Sequence, residues 1–139
     1  HATSMKFFNI LAKREMPIAP PIKFGMVDVR DVAKMHVAAI EIDESIDKRF
    51  IISENAYWGK DFAQKLVNLG YKAPTFSPPA FLVKFLANFD KKLKMVKPVI
   101  GVDFNIDSSS AKSTLGFEPM SFEKTVKDTS DYIKSIEVD

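Results

Sequence analysis

Residues 49–53 constrain the fold of this sequence more than any other short stretch. Phe50, Ile51 and Ile52 form an uninterrupted apolar run flanked by charged and polar residues, a pattern typical of a strand that is covered on both faces. Such a strand needs neighbours, because a two-stranded element is only marginally stable in water. Residues 23–29, in which apolar side chains alternate, predict one other short strand. The sequence therefore predicts an incomplete sheet.

Helices are predicted for most of the remaining sequence, so the expected fold class is α/β with two or three short strands. A helix over residues 4–15 should end at the proline-rich stretch 17–21, because proline cannot continue a helix. Asp31 is predicted to cap the helix that follows the first strand. The apolar face of that helix consists of Val32, Met35, His36, Ala39 and Ile40. The other predicted helices cover 59–69, 81–93, 108–115 and 122–135.

Composition argues against several classes of function. Lys and Arg (20) nearly balance Asp and Glu (18) and are spread along the chain, so no surface for nucleic acid is expected. Cysteine is absent and the two histidines form no ligand cluster, which argues against disulfides and metal centres. No apolar run approaches the roughly 18 residues of a transmembrane helix, so no membrane partner is expected.

The chain begins with His1 rather than with methionine. Its first five residues lack the charged and apolar regions of a signal peptide, which favours a cytoplasmic protein. A tag remnant ahead of a start at Met5, or a cut in a longer natural chain, would each explain the first residue.

The sequence contains no recognisable catalytic or cofactor-binding motif. Its five glycines are each at least eleven residues from the next, whereas a dinucleotide-binding loop needs closely spaced glycines. No tyrosine stands four residues ahead of a lysine, and Ser108 to Ser110 lack the flanking glycines of a hydrolase elbow. His36, the one internal histidine, is interpreted as a packed side chain bonded to backbone or carboxylate.

Two groups of residues remain as candidates for ligand binding. Asp28 and Arg30 fit either a structural ion pair or a contact with a ligand. Phe81, Phe85 and Phe89 share one helical face beside the loop that carries Phe76. They fit a hydrophobic core, the wall of an apolar pocket or a surface for a partner.

Three segments resemble the extended short-chain dehydrogenases, and the dihydroflavonol-reductase-like branch of the epimerase/dehydratase family in particular. Residues 24–41, FGMVDVRDVAKMHVAAIE, are similar to the strand and helix that follow the catalytic helix in that family. Residues 48–53, KRFIIS, resemble a strand added to the edge of the nucleotide-binding sheet. Residues 107–119, DSSSAKSTLGFEP, resemble the turn before the last helix.

The resemblance implies that residues 1–139 form a single substrate-binding domain, the mostly helical carboxy-terminal portion of a Rossmann-type enzyme. The amino-terminal nucleotide-binding domain, with its glycine-rich loop and its catalytic Ser, Tyr and Lys, has no counterpart here. The parent would reduce a small carbonyl substrate by hydride transfer from NADP or NAD. The chain alone would neither bind the cofactor nor catalyse. The residues expected to face substrate are Phe24, Met26, Asp28, Arg30, Phe76, Phe81 and Phe85.

Two alternatives stay open beside the enzyme: a module of the same fold that senses nucleotide without turnover, and a protein-interaction module that presents the phenylalanine-rich surface. A glycine-rich loop and a Tyr-x-x-x-Lys motif upstream would favour the enzyme, and the loop without the tyrosine would favour the sensor. Because residues 50–52 should leave an unpaired strand edge, self-association or retention of an amino-terminal half is expected.

Overall fold

The computed structural model of the protein describes residues 3–137. It confirms an α/β chain that is mostly helical and contains two short strands. Two short 3₁₀ helices, Asp43–Ser45 and Lys97–Val99, accompany the main elements. In chain order these elements are α1 (Thr3–Ala12), β1 (Lys23–Met26), α2 (Val29–Glu41), β2 (Asn55–Trp58), α3 (Gly59–Asn68), α4 (Ala80–Leu86), α5 (Lys91–Val96), α6 (Ser109–Leu115) and α7 (Phe122–Glu137).

The second strand lies later in the chain than the sequence predicted. β2 pairs with β1 in an antiparallel sense, with Gly59 N–H donating to the Ile22 carbonyl at 2.9 Å. Residues 50–52 form no strand, so that prediction is wrong. A strand requires a ladder partner, and within residues 3–137 this run has none, which leaves the Ile51 side chain exposed.

The chain divides into two compact units, each built from two stretches of sequence. The first unit comprises residues 1–24 and 57–104, and the second comprises 25–56 and 105–139. The expectation of one substrate-binding domain over residues 1–139 stays a prediction.

Two apolar clusters hold the first unit together. Phe8 of α1 packs edge-on against Phe62 of α3 and against Tyr71, with ring centroids 6.0 and 5.7 Å apart. The other cluster is formed by buried Val83, Ala87 and Ile100. α1 ends at Ala12, ahead of the proline-rich stretch and three residues earlier than predicted, and backbone bonds from residues 14 and 15 close its final turn.

The predicted helix over residues 81–93 is interrupted and forms α4 and α5 instead. The carboxylate of Asp90 accepts a hydrogen bond from the Leu93 N–H at 3.0 Å. A carboxylate that bonds an amide three residues later starts a new helix. Asp90 therefore separates two helices that apolar periodicity alone joins into one.

In the second unit, Asp28 rather than Asp31 caps α2. The Asp28 carboxylate accepts from the Arg30 N–H at 2.9 Å, and α2 begins at Val29. Asp31 is buried and accepts from the Met120 N–H at 2.7 Å. Asp31 therefore lies in the first turn of α2, where its carboxylate bonds a distant backbone amide and does not cap the helix.

The predicted apolar faces of the second unit's helices are correct in part. In α7, Phe122, Val126 and Ile133 are buried, whereas Tyr132 is exposed. In α2, Ile40 is 85% exposed. His36 is also exposed, although its Nδ1 lies 2.8 Å from the Val32 carbonyl oxygen.

Candidate functional site

The first unit contains an open groove. It lies between the carboxyl ends of α1 and α3 and the loop over residues 71–76, with a volume of about 410 Å³. A bond of 2.8 Å from the Ala19 N–H to the Phe76 carbonyl fixes the end of that loop. The residues that line the groove are Arg14, Pro17, Val67, Tyr71, Lys72, Ala73, Pro74, Thr75 and Phe76.

Phe76 is the one groove residue that the sequence identified. The residues that line the groove come from three separate stretches of the sequence. Neither Phe81 nor Phe85 is among them. The signal for this groove in the sequence was weak, since Arg14 and Lys72 each look like an ordinary charged residue after a helix.

Phe81 and Phe85 project from the outer face of α4. They are 70% and 61% exposed, and the rings of Phe85 and Phe89 meet at 5.5 Å. The core face of the same helix is formed by Val83. The interpretation of these phenylalanines as core is therefore wrong, and an apolar wall or a partner surface remains.

Phe24 packs beside a lysine that the sequence analysis missed. The Phe24 ring meets Phe7 at 4.9 Å. The adjacent Lys23 places its ammonium 2.6 Å from the Asp103 carboxylate and about 6 Å from the rings of Trp58 and Phe104. Cation–π partners so far away in sequence leave no local pattern.

Asp28 and Arg30 form a structural ion pair in the second unit. Arg30 donates to both Asp28 oxygens, at 2.8 and 2.7 Å, and also reaches Asp128 at 2.7 Å. Thr125 donates to the same buried carboxylate at 3.0 Å. These bonds, with those from the Arg30 guanidinium foremost, hold the pKa of Asp28 well below its ordinary value.

The seven residues expected to face substrate are divided between the two units. Phe24, Phe76, Phe81 and Phe85 belong to the first, and Met26, Asp28 and Arg30 belong to the second. Their role in substrate binding stays a prediction. Within the Asp28–Arg30 ion pair, the Arg30 side chain is the accessible one, with 45% of its surface exposed.

Over residues 3–137, no group of three or more His, Asp or Glu side chains is arranged to hold a metal ion. Within the same residues no helix combines the length and apolar character that spanning a bilayer requires.

Comparison with known proteins gives similarity over most of the chain, although no family model matches it. It is 28% identical over 123 residues to the NADPH-dependent methylglyoxal reductase GRE2 of Saccharomyces cerevisiae, a match that covers 85% of this chain and 31% of that protein. The chain thus spans about a third of its curated relative.

Solved structures agree with this similarity. Gre2 from Candida albicans in complex with NADPH matches with a TM-score of 0.63 and 26% identity, over 97% of this chain and 37% of that one. The protein gox2253 matches in fold with a TM-score of 0.72 at 19% identity, over 96% of this chain and 44% of that one.

Proposed function

We propose that this chain is a carboxy-terminal portion of an extended short-chain dehydrogenase/reductase, and that it supplies the substrate side of a cytoplasmic, NADPH-dependent reductase of small carbonyl compounds. The observation that carries the proposal is the match, over most of this chain, to reductases named for NADPH. A dihydroflavonol-like substrate is the narrower form of the same proposal.

NADPH would supply the hydride, and no residue of this chain is assigned to hold it. The glycines are too widely spaced for a dinucleotide loop, so the residues present do not fit that role. What the chain offers is an apolar surface. The exposed rings of Phe81 and Phe85 would contact the apolar part of a substrate, because sites for small molecules are mostly apolar with a few polar groups.

The test uses the longest natural chain that contains this segment, assayed for NADPH oxidation with methylglyoxal and isovaleraldehyde, the substrates named for its relatives. Phe81→Ala and Phe85→Ala should each raise KM for isovaleraldehyde about fivefold with little change in kcat, because an apolar contact made equally in ground and transition states is lost. Met95→Ala, also at an exposed apolar side chain, is the matched control.

The assay has outcomes that contradict the proposal. One is a chain that reduces neither compound. Another is an equal rise in KM with Met95→Ala. NADPH binding without turnover would support the nucleotide sensor in its place.

We also propose that the chain on its own self-associates through exposed apolar faces. In the first unit Phe81 and Phe89 are 70% and 78% exposed, and in the second unit Val29 and Ile40 are 77% and 85% exposed. Apolar patches of this kind commonly mark interaction surfaces.

Sedimentation velocity at micromolar concentration should therefore show dimers or larger species. Phe89→Ser and Ile40→Ser would identify the face that is involved. A stable monomer that binds no hydrophobic dye would refute this proposal.

A further inference from the structure

We propose that the groove between α1 and α3 binds a small organic carboxylate with an apolar body. The inference rests on the groove of the first unit and is independent of the proposed reductase function. Its volume of about 410 Å³ falls in the range of sites for small molecules, roughly 300–1,000 Å³.

The groove combines an apolar wall with positive charge. Pro17, Val67, Pro74 and Phe76 provide apolar surface, and Phe76 is 66% exposed. Arg14 and Lys72 are the charged residues of the lining, and no acidic residue is part of it. Within residues 3–137 neither cation makes an ion pair. The groove is therefore a cationic site without a counter-charge of its own.

Backbone donors add to this charge. In the described part of the chain, the N–H groups of Lys72, Ala73, Thr75 and Phe76 donate to no protein acceptor. A carboxylate could accept hydrogen bonds from these amides, and bonds to a charged acceptor are stronger than bonds between neutral groups. All four of these residues line the groove, so their amides belong to the loop that borders it.

The backbone at Arg14 is the third observation. Its φ is +56°, and the N–H groups of residues 14 and 15 close the last turn of α1 on Leu11 and Ile10. This left-handed position after a helix is usually occupied by glycine, and a residue with a side chain there costs about 1 kcal/mol. The chain therefore carries a guanidinium at a site where glycine would be less strained.

These features define the ligand. A planar guanidinium binds a carboxylate in a two-pronged manner, and a nearby ammonium adds a point charge. The prolines and Phe76 favour an apolar body beside the carboxylate. Arg14 and Lys72 each follow a helix, and a positive charge there also interacts favourably with the helix dipole. If that were their only role, the groove would not prefer an acid to an uncharged analogue.

The test is calorimetric titration of this chain with 3-phenylpropionate and with its uncharged amide. The wild type should bind the acid at least about tenfold more tightly than the amide, since the amide lacks the charge that both cations recognise. Arg14→Gly and Lys72→Gln should each weaken binding of the acid about fivefold, and the double substitution should weaken it about 25-fold.

Two controls separate binding from folding and from net charge. Arg14→Gly relieves the strained backbone, so its thermal midpoint should equal or exceed that of the wild type while its affinity falls. Lys60→Gln removes an exposed lysine of α3 that does not line the groove, and it should change affinity less than about twofold.

The proposal would be overturned if the acid shows no saturable binding, or if the acid and the amide bind with equal affinity. It would also be overturned if Lys60→Gln weakens binding of the acid as much as Arg14→Gly or Lys72→Gln does. Because the titration needs neither NADPH nor turnover, its failure is distinct from a failure of the proposed reductase.

Discussion

Gly101→Ala is expected to destabilise the first unit by about 3 kcal/mol, because it combines a strained backbone with an overlap of atoms. The φ of Gly101 is +65°, and a Cβ built there would collide with the Cβ of Ala80, the first residue of α4. The backbone at Gly101 cannot shift easily to avoid this contact. Gly101 N–H donates to the Pro21 carbonyl at 2.7 Å, and the preceding Ile100 is fully buried.

Gly70→Ala is the matched control in the same unit. Gly70 has a φ of +88° and no atom within 4 Å of an added Cβ, so alanine there should cost only the backbone strain, about 1 kcal/mol. Urea unfolding followed by circular dichroism measures both variants. Ala80→Gly in the Gly101→Ala background should recover part of the loss, because it removes the colliding methyl group. If Gly70→Ala and Gly101→Ala lower the free energy of unfolding equally, the structure relieves the overlap with Ala80 without losing stability.

Much of the fold could be predicted from local sequence. The prolines after α1 and the apolar stripe of α7 are local features, and the structure agrees with both at Pro17 and Val126. The segment FGMVDVRDVA carries much of the resemblance to the extended short-chain dehydrogenases, because turn and helix signals occur there together with a specific pattern. Such features depend on residues a few positions apart.

What the sequence could not predict depends on contacts between distant residues. Asp28 caps α2, whereas Asp31 lies in its first turn and bonds the amide of Met120, 89 residues away. The groove brings Arg14 together with Lys72 and the loop that follows it. Apolar residues 50–52 indicate the intrinsic preference for a strand, but strand formation also requires a partner.

Asp28→Ala is expected to cost the second unit about 3 kcal/mol, because it removes the α2 cap together with charged hydrogen bonds. The Asp28 carboxylate, 5% exposed, accepts bonds from the Arg30 backbone, from the Arg30 guanidinium and from Thr125. Asp28→Asn keeps an oxygen for the cap and loses the charge, so its cost at neutral pH should be smaller. Asp131→Asn disrupts an exposed pair with Lys127 and should cost less than about 0.5 kcal/mol.

The dependence on pH distinguishes the charge of Asp28 from its shape. Its pKa is lowered in the folded protein, while in the unfolded chain it is about 3.9. Below about pH 4 the unfolded chain therefore binds more protons at this residue than the folded chain, and folding stability declines as the pH falls. The contribution is fully present above pH 5 and is lost progressively towards the lowered pKa.

Urea unfolding between pH 7 and pH 2 should show this loss directly. Below pH 4 the wild type should lose up to about 1.4 kcal/mol per pH unit more than Asp28→Asn, because asparagine has no proton to gain. The two free energies of unfolding should therefore converge in acid. If the difference between the two free energies of unfolding stays constant from pH 7 to pH 2, the Asp28 carboxyl group has the same pKa in the folded and the unfolded chain. The bonds from Arg30 and Thr125 would then stabilise the fold without depending on the charge of Asp28.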